Sequence, residues 1–368
     1  MPSELRMFLD NAPATEEQLD LFRMVRVDQA IGMATEAELE MELVLDDTGT
    51  WTDFAQAFTA PFSRVRIEVR IDEGGFVPLI DGPMIAQRIE MSAAPNDSLL
   101  TLVVHDDSVK LSQVETVAVF EDLSPSDIAS QLFTGAGLQA EVGVTAVAGG
   151  TLERFVVQRG TAMQLLRELA RRHGMVLQIK PGQVAGTSIG VFGPLDLAVE
   201  DLPELMLVGD TRNLERVSID FDGLRPFAAV ASSLDAAGLS VIRSEISAPG
   251  QAVLGDEAAH DLVEPATVLL ARTRETETDL DGAATAAVDA ASWAWSAAGE
   301  VDAASYPGVL QPYATVNLAG AGPMSGRYLV AQVTHSIDDG SYRQAFTLRR
   351  NARSTVGGSG GGPPGGVF

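Results

Sequence analysis

The sequence predicts a mainly β protein that carries a small α/β insert. Three observations support this. The first third of the chain alternates apolar and polar residues in short runs separated by Gly, Pro and Asp, which is typical of antiparallel barrels and sandwiches. The middle changes to helix–strand alternation. Near the carboxyl end, two alternating runs flank an Asp-Gly dipeptide, the favoured sequence of a two-residue hairpin turn.

The clearest strand of the first third is Arg64 to Ile71. It alternates strictly, with apolar side chains on one face and Arg or Glu on the other. Residues 52–58 are predicted to be a loop or a short helix. Other predicted strands are Arg23 to Ala30, Glu38 to Leu45, Phe76 to Ile80, Met84 to Met91 and Ser98 to Val104, with turns at Asp72-Glu73-Gly74-Gly75, Asp81-Gly82-Pro83 and Pro95-Asn96-Asp97.

The middle of the chain contains two predicted helices. The first spans Leu123 to Phe133 and begins with Ser-Pro-Ser-Asp, which places a proline and an acid at its amino end. The second, Ala162 to His173, has Thr161 as its N-cap and Gly174 as its stop. Predicted strands at Arg154 to Gln158 and Met175 to Lys180 flank the second helix. This alternation predicts an α/β insert of residues 116–200.

The β pattern resumes after about residue 201. Strands are predicted at Asn213 to Phe221 and Ala228 to Ser232, and one alanine-rich helix at Gly282 to Ala298. Trp293 and Trp295 fall two apart on that helix and therefore on different sides, so we expect them to pack against neighbouring subunits. From Asn351 onward the Gly, Ser and Pro content predicts a flexible tail over residues 351–368.

The Asp339-Gly340 turn sets a register for the hairpin. Because side chains alternate between faces, only one register sorts both strands at once, and it makes the hairpin a well-specified edge of a β-domain. His335 falls on the apolar face, where a partly buried, hydrogen-bonded histidine is expected. The predicted pairs are Ile337 with Tyr342, Ser336 with Arg343, His335 with Gln344, Thr334 with Ala345, Val333 with Phe346, Gln332 with Thr347 and Ala331 with Leu348.

Composition excludes several classes of function. The net charge of −26 argues against sequence-independent binding of nucleic acid and against an anionic membrane surface as partner. The absence of cysteine excludes a disulfide framework, zinc–thiolate sites and a cysteine nucleophile. No secretory signal is recognisable at the amino terminus. The longest helix-compatible apolar stretch, Ala283 to Ala298, is too short and too rich in alanine to anchor the chain in a membrane.

No catalytic, cofactor-binding or metal-binding residue can be assigned. The four histidines, at positions 105, 173, 260 and 335, show no metal-binding spacing, and His105-Asp106-Asp107 is explained by a strand end entering a turn. The glycines between positions 320 and 326 lie between two strands, so they predict a turn and not a phosphate-binding loop. We therefore expect no enzymatic activity, no cofactor and no metal.

Two blocks of the sequence resemble the phage late control protein D family, which includes the tail hub proteins of contractile phages and the hub region of VgrG-type spike proteins. The middle block is a strand, a glutamine, a helix and a glycine: Phe155-Val156-Val157-Gln158, then Leu165-Leu166-Arg167-Glu168-Leu169-Ala170, then Gly174. The carboxyl-terminal block comprises Pro307-Gly308, Pro312, Val316-Asn317-Leu318, Gly326-Arg327-Tyr328-Leu329-Val330, Val333-Thr334-His335 and Tyr342-Arg343-Gln344-Ala345-Phe346.

The resemblance implies a fold and a set of partners. It implies two tail-tube-like antiparallel β-barrel domains, residues 1–115 and 201–350, with the insert outside them. It implies a homotrimeric ring that binds the sixfold inner tube above and the threefold spike below, among baseplate wedge components. Such a protein assembles in the cytoplasm and becomes part of a phage tail or an injection particle.

Three further points concern the spike, the parent machine and a competing function. VgrG-type chains continue into a needle whereas this sequence ends in a glycine-rich segment, so we expect the spike to be a separate polypeptide. The parent machine is either a phage tail or a phage-like extracellular contractile injection system. The competing hypothesis is a soluble β-rich enzyme or carbohydrate-binding module with a carboxylate site, which requires a concave acidic pocket within one subunit.

Overall fold

A computed structural model describes residues 3–45, 48–51, 56–94, 97–145, 155–198, 202–235, 238–271, 277–338 and 340–355. Several predicted features lie outside the described residues: Pro95 and Asn96 of one turn, Asp339 of the hairpin turn, residues 52–55, and the tail beyond Thr355.

The strands and helices confirm a mainly β protein with large antiparallel sheets. The amino-terminal strands are β1 Ser3–Leu9, β2 Ala12–Pro13, β3 Phe22–Ala30, β4 Glu36–Glu42, β5 Arg64–Ile71, β6 Val77–Glu90 and β7 Leu99–His105. Those of the insert are β8 Glu115–Glu121, β9 Gln139–Val142, β10 Phe155–Thr161, β11 Met175–Pro181 and β12 Ser188–Pro194. The remaining strands are β13 Leu205–Met206, β14 Val217–Phe221, β15 Phe227–Asp235, β16 Ser240–Ile246, β17 Glu257–Ala258, β18 Ala266–Ala271, β19 Trp295–Asp302, β20 Thr315–Ala319, β21 Gly326–Asp338, β22 Ser341–Arg350 and β23 Ala352–Arg353. The helices are α1 Glu16–Leu19, α2 Ser108–Ser112, α3 Pro125–Gly135, α4 Ala162–His173 and α5 Glu277–Ala291.

One large sheet joins the two ends of the chain. Its strand order is β14-β19-β22-β21-β3-β4-β7-β6, and β5, β1 and β2 continue from the first half of β6. The junction between the carboxyl-terminal and amino-terminal strands is the β21–β3 pair, with Thr334 opposite Asp28 and Ile337 opposite Val25. The backbone hydrogen bonding of the sheet is therefore continuous across the two predicted barrels.

The two larger hydrophobic cores lie on the same side of this sheet. The first core packs β3, β4 and β7 against β1 and β5, and the second packs β19, β21 and β22 against residues such as Leu205, Tyr306 and Leu310. The insert has its own core around α3 and α4. A further small core, not foreseen from the sequence, lies between α5 and the three-stranded sheet β16-β15-β18. The boundaries of the three predicted domains stay a prediction.

The β21–β22 hairpin has the predicted register over most of its length. The pairs from Gln332–Thr347 to Ile337–Tyr342 are confirmed. The predicted pair of Ala331 with Leu348 is wrong: a β-bulge at Ala331 places Val330 opposite Leu348. The bulge adds one residue, so Val330 takes the core-facing position that strict alternation assigns to Ala331. The prediction that the hairpin is an edge is also wrong, because β3 pairs with the free side of β21.

Asp81-Gly82-Pro83 is not a turn, as predicted, but part of the 14-residue strand β6. Here the strand leaves its pairing with β5 and begins its pairing with β7. Gly82 is required at this bend, since a Cβ there would lie 1.8 Å from the carbonyl oxygen of His105. Glycine within a strand often marks a bend or a close approach of another backbone, and proline is confined to strand edges and irregular positions.

The predicted helix at Gly282 to Ala298 is right in its first part and wrong in its second. The helix ends at Ala291, and Trp295 begins strand β19, which pairs with both β14 and β22. Trp293 packs in a small core with Leu254 and Leu329, and the Trp295 ring lies 4.3 Å from that of Phe221. Both tryptophans thus contact other parts of their own chain, and the expected contact with neighbouring subunits stays a prediction.

The helices of the insert follow their sequence signals. The second begins and ends as predicted, with a capping box formed by Thr161 and Gln164, and with Gly174 in the left-handed conformation. The first is capped by Ser124 and extends two residues beyond the predicted end, to Gly135. The predicted start of the tail is too early, since β23 pairs with β17.

Candidate assembly surface

The large sheet contains the same four-stranded unit twice. The first unit is β3-β4-β7-β6 and the second is β14-β19-β22-β21, named here in the order in which the strands lie in the sheet. If the four strands of each unit are numbered 1 to 4 along the chain, both units have the spatial order 1-2-4-3. The hairpin β6–β7 therefore corresponds to β21–β22. The identical connectivity shows an internal repeat of the fold that the sequence analysis did not detect.

The repeat extends to individual residues. β6 carries a bulge at Ile85, between the Met84–Val104 and Ala86–Val103 pairs, and β21 carries its bulge at the corresponding Ala331. Matching the bulges and the strand registers gives the following correspondences: Ile89 with His335, Arg88 with Thr334, Glu90 with Ser336, Met91 with Ile337, Leu100 with Gln344, Val25 with Val217, Arg26 with Ser218, Val27 with Ile219, Asp28 with Asp220 and Gln29 with Phe221.

The hydrogen bonding beside the bulges repeats as well. The amide of Met84 donates to Ser63 O at 2.8 Å, and its carbonyl accepts from the amide of Phe62 at 2.9 Å. At the second unit, Val330 makes the matching bonds with Ala314 and Tyr313, at 2.9 and 3.1 Å. Phe62 and Tyr313 share a positive φ, 65° and 72°, which is uncommon for residues other than glycine. The two units thus share even their backbone irregularities.

The two faces of the repeated sheet differ in chemistry. The face toward the cores is apolar. The opposite face, called here the polar face, carries four glutamates of β4, at positions 36, 38, 40 and 42, together with Glu300 and Asp302 of β19. Several of these acids have basic partners: Glu38 forms an ion pair with Arg88, Glu40 lies near Arg23, and Glu36 is hydrogen-bonded to His105. The polar face is therefore predominantly acidic, with arginines that partly balance the charge.

Two strand edges of the repeated sheet are open. The outer side of β14 and the outer side of β6 beyond its bulge pair with no strand among the described residues. Ile89 and Met91, whose side chains belong to the core face, are 47% and 57% exposed, and Phe221 at the end of β14 is 37% exposed. An exposed strand edge with apolar side chains is a site where another strand can add. These two edges form the candidate assembly surface.

His335 lies at the junction between the two units and confirms the expectation of a hydrogen-bonded histidine, although its burial is complete rather than partial. Its Nδ1 lies 2.9 Å from the Tyr342 hydroxyl and its Nε2 lies 3.2 Å from Gln29 Oε1. Burial lowers the pKa of His335 to about 3, against the weaker opposing effect of the Asp28 charge. The ring is therefore neutral in the folded protein at neutral pH.

This histidine predicts a loss of stability in mild acid. The unfolded chain binds a proton at His335 below about pH 6.5 whereas the folded chain does not until about pH 3, so the free energy of unfolding decreases as pH falls between these values. The contribution is about 2 kcal/mol between pH 7 and pH 5. Urea unfolding of the wild type and of His335→Gln at both pH values measures it, since only the wild type has this titration. Equal changes in the two proteins would contradict the prediction.

A buried cluster of charges docks the insert on the first unit. Arg64 and Arg66 project from the face of β5 that points away from the core, and both bond the buried Asp81, at 2.6 and 3.0 Å. Arg64 also holds Asp107 through two bonds, of 3.0 and 2.8 Å. Burial alone would raise the pKa of Asp107, but bonds from Arg64 and Ser188 and the charge of Arg64 hold it below its ordinary value.

The insert supplies further hydrogen bonds to this cluster, from its backbone and from one side chain. The carbonyl of Gly182 accepts a bond from Arg66 at 2.8 Å, and the amide of Gly186 donates to Asp81 at 2.9 Å. Ser188 donates to Asp107 at 2.8 Å. The alternation of Arg64 to Ile71 was correctly predicted, and on its charged face the insert contacts Arg64 and Arg66.

The other candidate residues are not brought together. His105 bonds Glu36, His173 lies at the end of α4, and His260 lies in the 3-10 turn Ala259–Leu262. Within the described ranges, no group of three or more His, Asp or Glu side chains is placed to hold a metal ion. A groove of about 550 Å³ on the second unit mixes the carboxylates of Glu215, Glu300 and Asp302 with two arginines. None of the helices in the described part of the chain is long and apolar enough to cross a membrane.

Comparison with solved structures identifies the class of fold. A tail protein from Neisseria meningitidis MC58 superimposes with a TM-score of 0.68 at 14% identity, covering 95% of this chain and 97% of that one. The 43 kDa tail protein of prophage MuSo2 from Shewanella oneidensis gives a TM-score of 0.67 at 13% identity, covering 95% and 98%. A chain of the Francisella PdpA–VgrG complex gives 0.54 at 8% identity, covering all of this chain and 60% of that one. The protein has the fold of phage tail and baseplate hub proteins.

The sequence itself places the chain in a family. Residues 24–339 match the family model described as the Alg8 N-terminal domain, and the chain belongs to that family. The matched range covers the first unit from Met24 onward, the insert, and the second unit as far as the end of β21, whereas β22 lies beyond it. The description assigns no activity to these residues, and none of the curated proteins compared matches the chain significantly.

Proposed function

We propose that this protein is a structural baseplate hub of a contractile tail or injection machine. In this role three copies form a ring that joins the sixfold inner tube above to a threefold spike below, among the wedge proteins of the baseplate. The protein then works as a component of a virion or of an extracellular particle. Its function is to hold these parts together, without catalysis, a cofactor, a membrane anchor or specific binding of nucleic acid.

The observation that carries this proposal is the internal repeat. Each chain contains two four-stranded units that share one sheet and one register. A ring of three copies therefore presents six similar units around its axis, which matches a sixfold partner on one side, while the true symmetry stays threefold for the other side. A chain with one unit, or with two units that are not side by side in a sheet, would have no such property.

The two faces of the sheet suit a ring with a central bore. The core face is covered within each chain, and the polar face is left for the bore. An acidic bore repels polyanions and offers few apolar surfaces to which passing cargo could adhere. We therefore propose that β4, with its four outward glutamates, lines the bore.

The competing function, a β-rich enzyme or carbohydrate-binding module, requires a concave carboxylate site. The groove beside β14 contains three acidic residues but also Arg216 and Arg343, and it lies next to an open strand edge. No observation favours catalysis there over a surface left open for assembly.

Native mass spectrometry of the purified chain, alone and with candidate tube and spike proteins from the same genome, tests the proposal. We expect a trimer, and a larger complex of one trimer with one spike trimer. Electron microscopy of the same sample should show a ring with a central opening. A chain that stays monomeric when both partners are present would overturn the proposal.

A further inference from the structure

The internal repeat specifies how one copy meets the next. Within the chain, the third strand of the second unit, β21, pairs with the first strand of the first unit, β3. The strands that correspond to these two are β6, beyond its bulge, and β14, and among the described residues neither has a further strand on its outer side. Building on the ring proposed above, we infer that β6 of one copy pairs with β14 of the next copy, in the register that β21 and β3 use inside each chain.

The register follows from the internal pair. Thr334 lies opposite Asp28, His335 opposite Val27, Ser336 opposite Arg26 and Ile337 opposite Val25. Replacing each residue by its counterpart gives four pairs between copies: Arg88 with Asp220, Ile89 with Ile219, Glu90 with Ser218, and Met91 with Val217.

Three of the four pairs are chemically complementary, and the fourth, Glu90–Ser218, joins two polar residues. Ile89–Ile219 and Met91–Val217 are apolar pairs on the core face. Arg88–Asp220 brings opposite charges together on the polar face, where the internal counterpart is a hydrogen bond from the Thr334 hydroxyl to Asp28. Directly opposed pairs of these types stabilise antiparallel strands. A shift by one residue would place Arg88 opposite an apolar residue and Ile89 opposite a polar one.

Exposure supports the same pairing. His335 and Val27 are fully buried inside the chain, whereas their counterpart Ile89 is 47% exposed and Ile219 is partly exposed. Apolar residues at the edge of a sheet are normally avoided or covered, because they invite strand addition. The pairing of β6 with β14 would bury these side chains as the internal junction buries its own.

The backbone geometry at the bulge of β6 also supports this pairing. Beside the bulge of β21, the Ala331 carbonyl accepts a bond from the amide of Ile31, at 2.9 Å, which starts the pairing with β3. The bulge at Ile85 repeats this geometry in β6, where the described residues contain no partner for the strand beyond it. The next copy supplies this partner in the inferred ring.

Cysteine cross-linking tests the register directly, because the chain has no cysteine of its own. The test variant is Glu90→Cys with Ser218→Cys, both on the polar face. The matched control is Ser336→Cys with Arg26→Cys, the corresponding pair inside one chain. A second control, Glu90→Cys with Asp220→Cys, is shifted by two residues. Opposed Cβ atoms lie about 5 Å apart, within reach of a disulfide after small adjustment, whereas the shifted pair lies about 7 Å apart.

We expect mild oxidation of the test variant to give covalent trimers as the largest product on non-reducing gels. The shifted control should give about tenfold less covalent oligomer, and the internal control should give only a cross-linked monomer. A native trimer whose test variant forms no more covalent oligomer than the shifted control would overturn the register and leave the ring intact. A chain that is monomeric before oxidation, with both partners present, would overturn the ring as well.

Discussion

Replacing Asp81 by alanine is expected to destabilise the protein by about 3–5 kcal/mol, since removing one partner of a buried ion pair leaves the other charge uncompensated. Asp81 is buried and bonds three groups: Arg64, Arg66 and the amide of Gly186. Arg66 is itself buried, and its remaining partners are Glu68 and two backbone carbonyls of the insert. The substitution therefore weakens both the first unit and its contact with the insert.

Urea unfolding measures this loss, and hydrogen exchange of the Gly182–Ser188 segment reports whether the insert detaches. The matched control is Glu4→Gln, which removes a carboxylate that pairs with Arg70 at the surface of the same sheet. Exposed pairs of this kind contribute less than about 1 kcal/mol. If Asp81→Ala costs no more than Glu4→Gln, the cluster does not stabilise the docking of the insert.

Replacing Ile89 by glutamate is expected to abolish ring assembly while leaving the single chain folded. Ile89 is half exposed in the single chain, so the substitution should change the free energy of unfolding by no more than about 0.5 kcal/mol. In the inferred ring the side chain is buried against Ile219 of the next copy. The loss of apolar burial and the burial of a carboxylate together cost about 3 kcal/mol or more at each contact, roughly a 100-fold decrease in its association constant.

Sedimentation or native mass spectrometry compares this variant with Val117→Glu, which changes an 80%-exposed valine of the insert strand β8 and should leave the trimer intact. The double variant Ile89→Glu with Ile219→Lys should recover part of the assembly, because it replaces an apolar pair by an ion pair across the same contact. Equal trimer content in Ile89→Glu and Val117→Glu would show that β6 does not lie at the contact between copies.

Local sequence signals were reliable where a short segment contains its own constraints. The helix Ala162–His173 was predicted to the residue because its cap, its apolar stripe and its stop are adjacent in sequence. The register of the hairpin followed from its turn and from side-chain alternation over six pairs. The bulge at Ala331 broke this register because an extra residue leaves no mark in an alternating pattern.

Segments that depend on distant partners were predicted less well. Trp295 to Ala298 has a helical composition, yet these residues form a strand because β14 and β22 offer hydrogen bonds on both sides. Asp81-Gly82-Pro83 has the composition of a turn, yet β5, β7 and the backbone of His105 hold it in a bent strand. In both cases tertiary contacts outweigh local preference.

The candidate assembly surface, like these segments, could not be predicted from local sequence signals. Weak signals were present, since Val25-Arg26-Val27-Asp28 resembles Val217-Ser218-Ile219-Asp220, but a similarity of four residues does not define a repeat by itself. The repeat is defined by the shared strand order, by both bulges and by the positive φ angles of Phe62 and Tyr313, all of which belong to the tertiary structure.

By itself the sequence determined the fold class, the helices of the insert, most of the hairpin register and the resemblance to tail hub proteins. These depend on periodicity, caps and turns, which act between residues close along the chain. Only the tertiary structure decided that the two halves share one sheet, that the insert rests on a buried charge cluster, and that the outer sides of β14 and of the second half of β6 pair with no strand in the described part of the chain. These features depend on contacts between residues far apart in sequence, and alternation within one strand does not specify which strand will lie beside it.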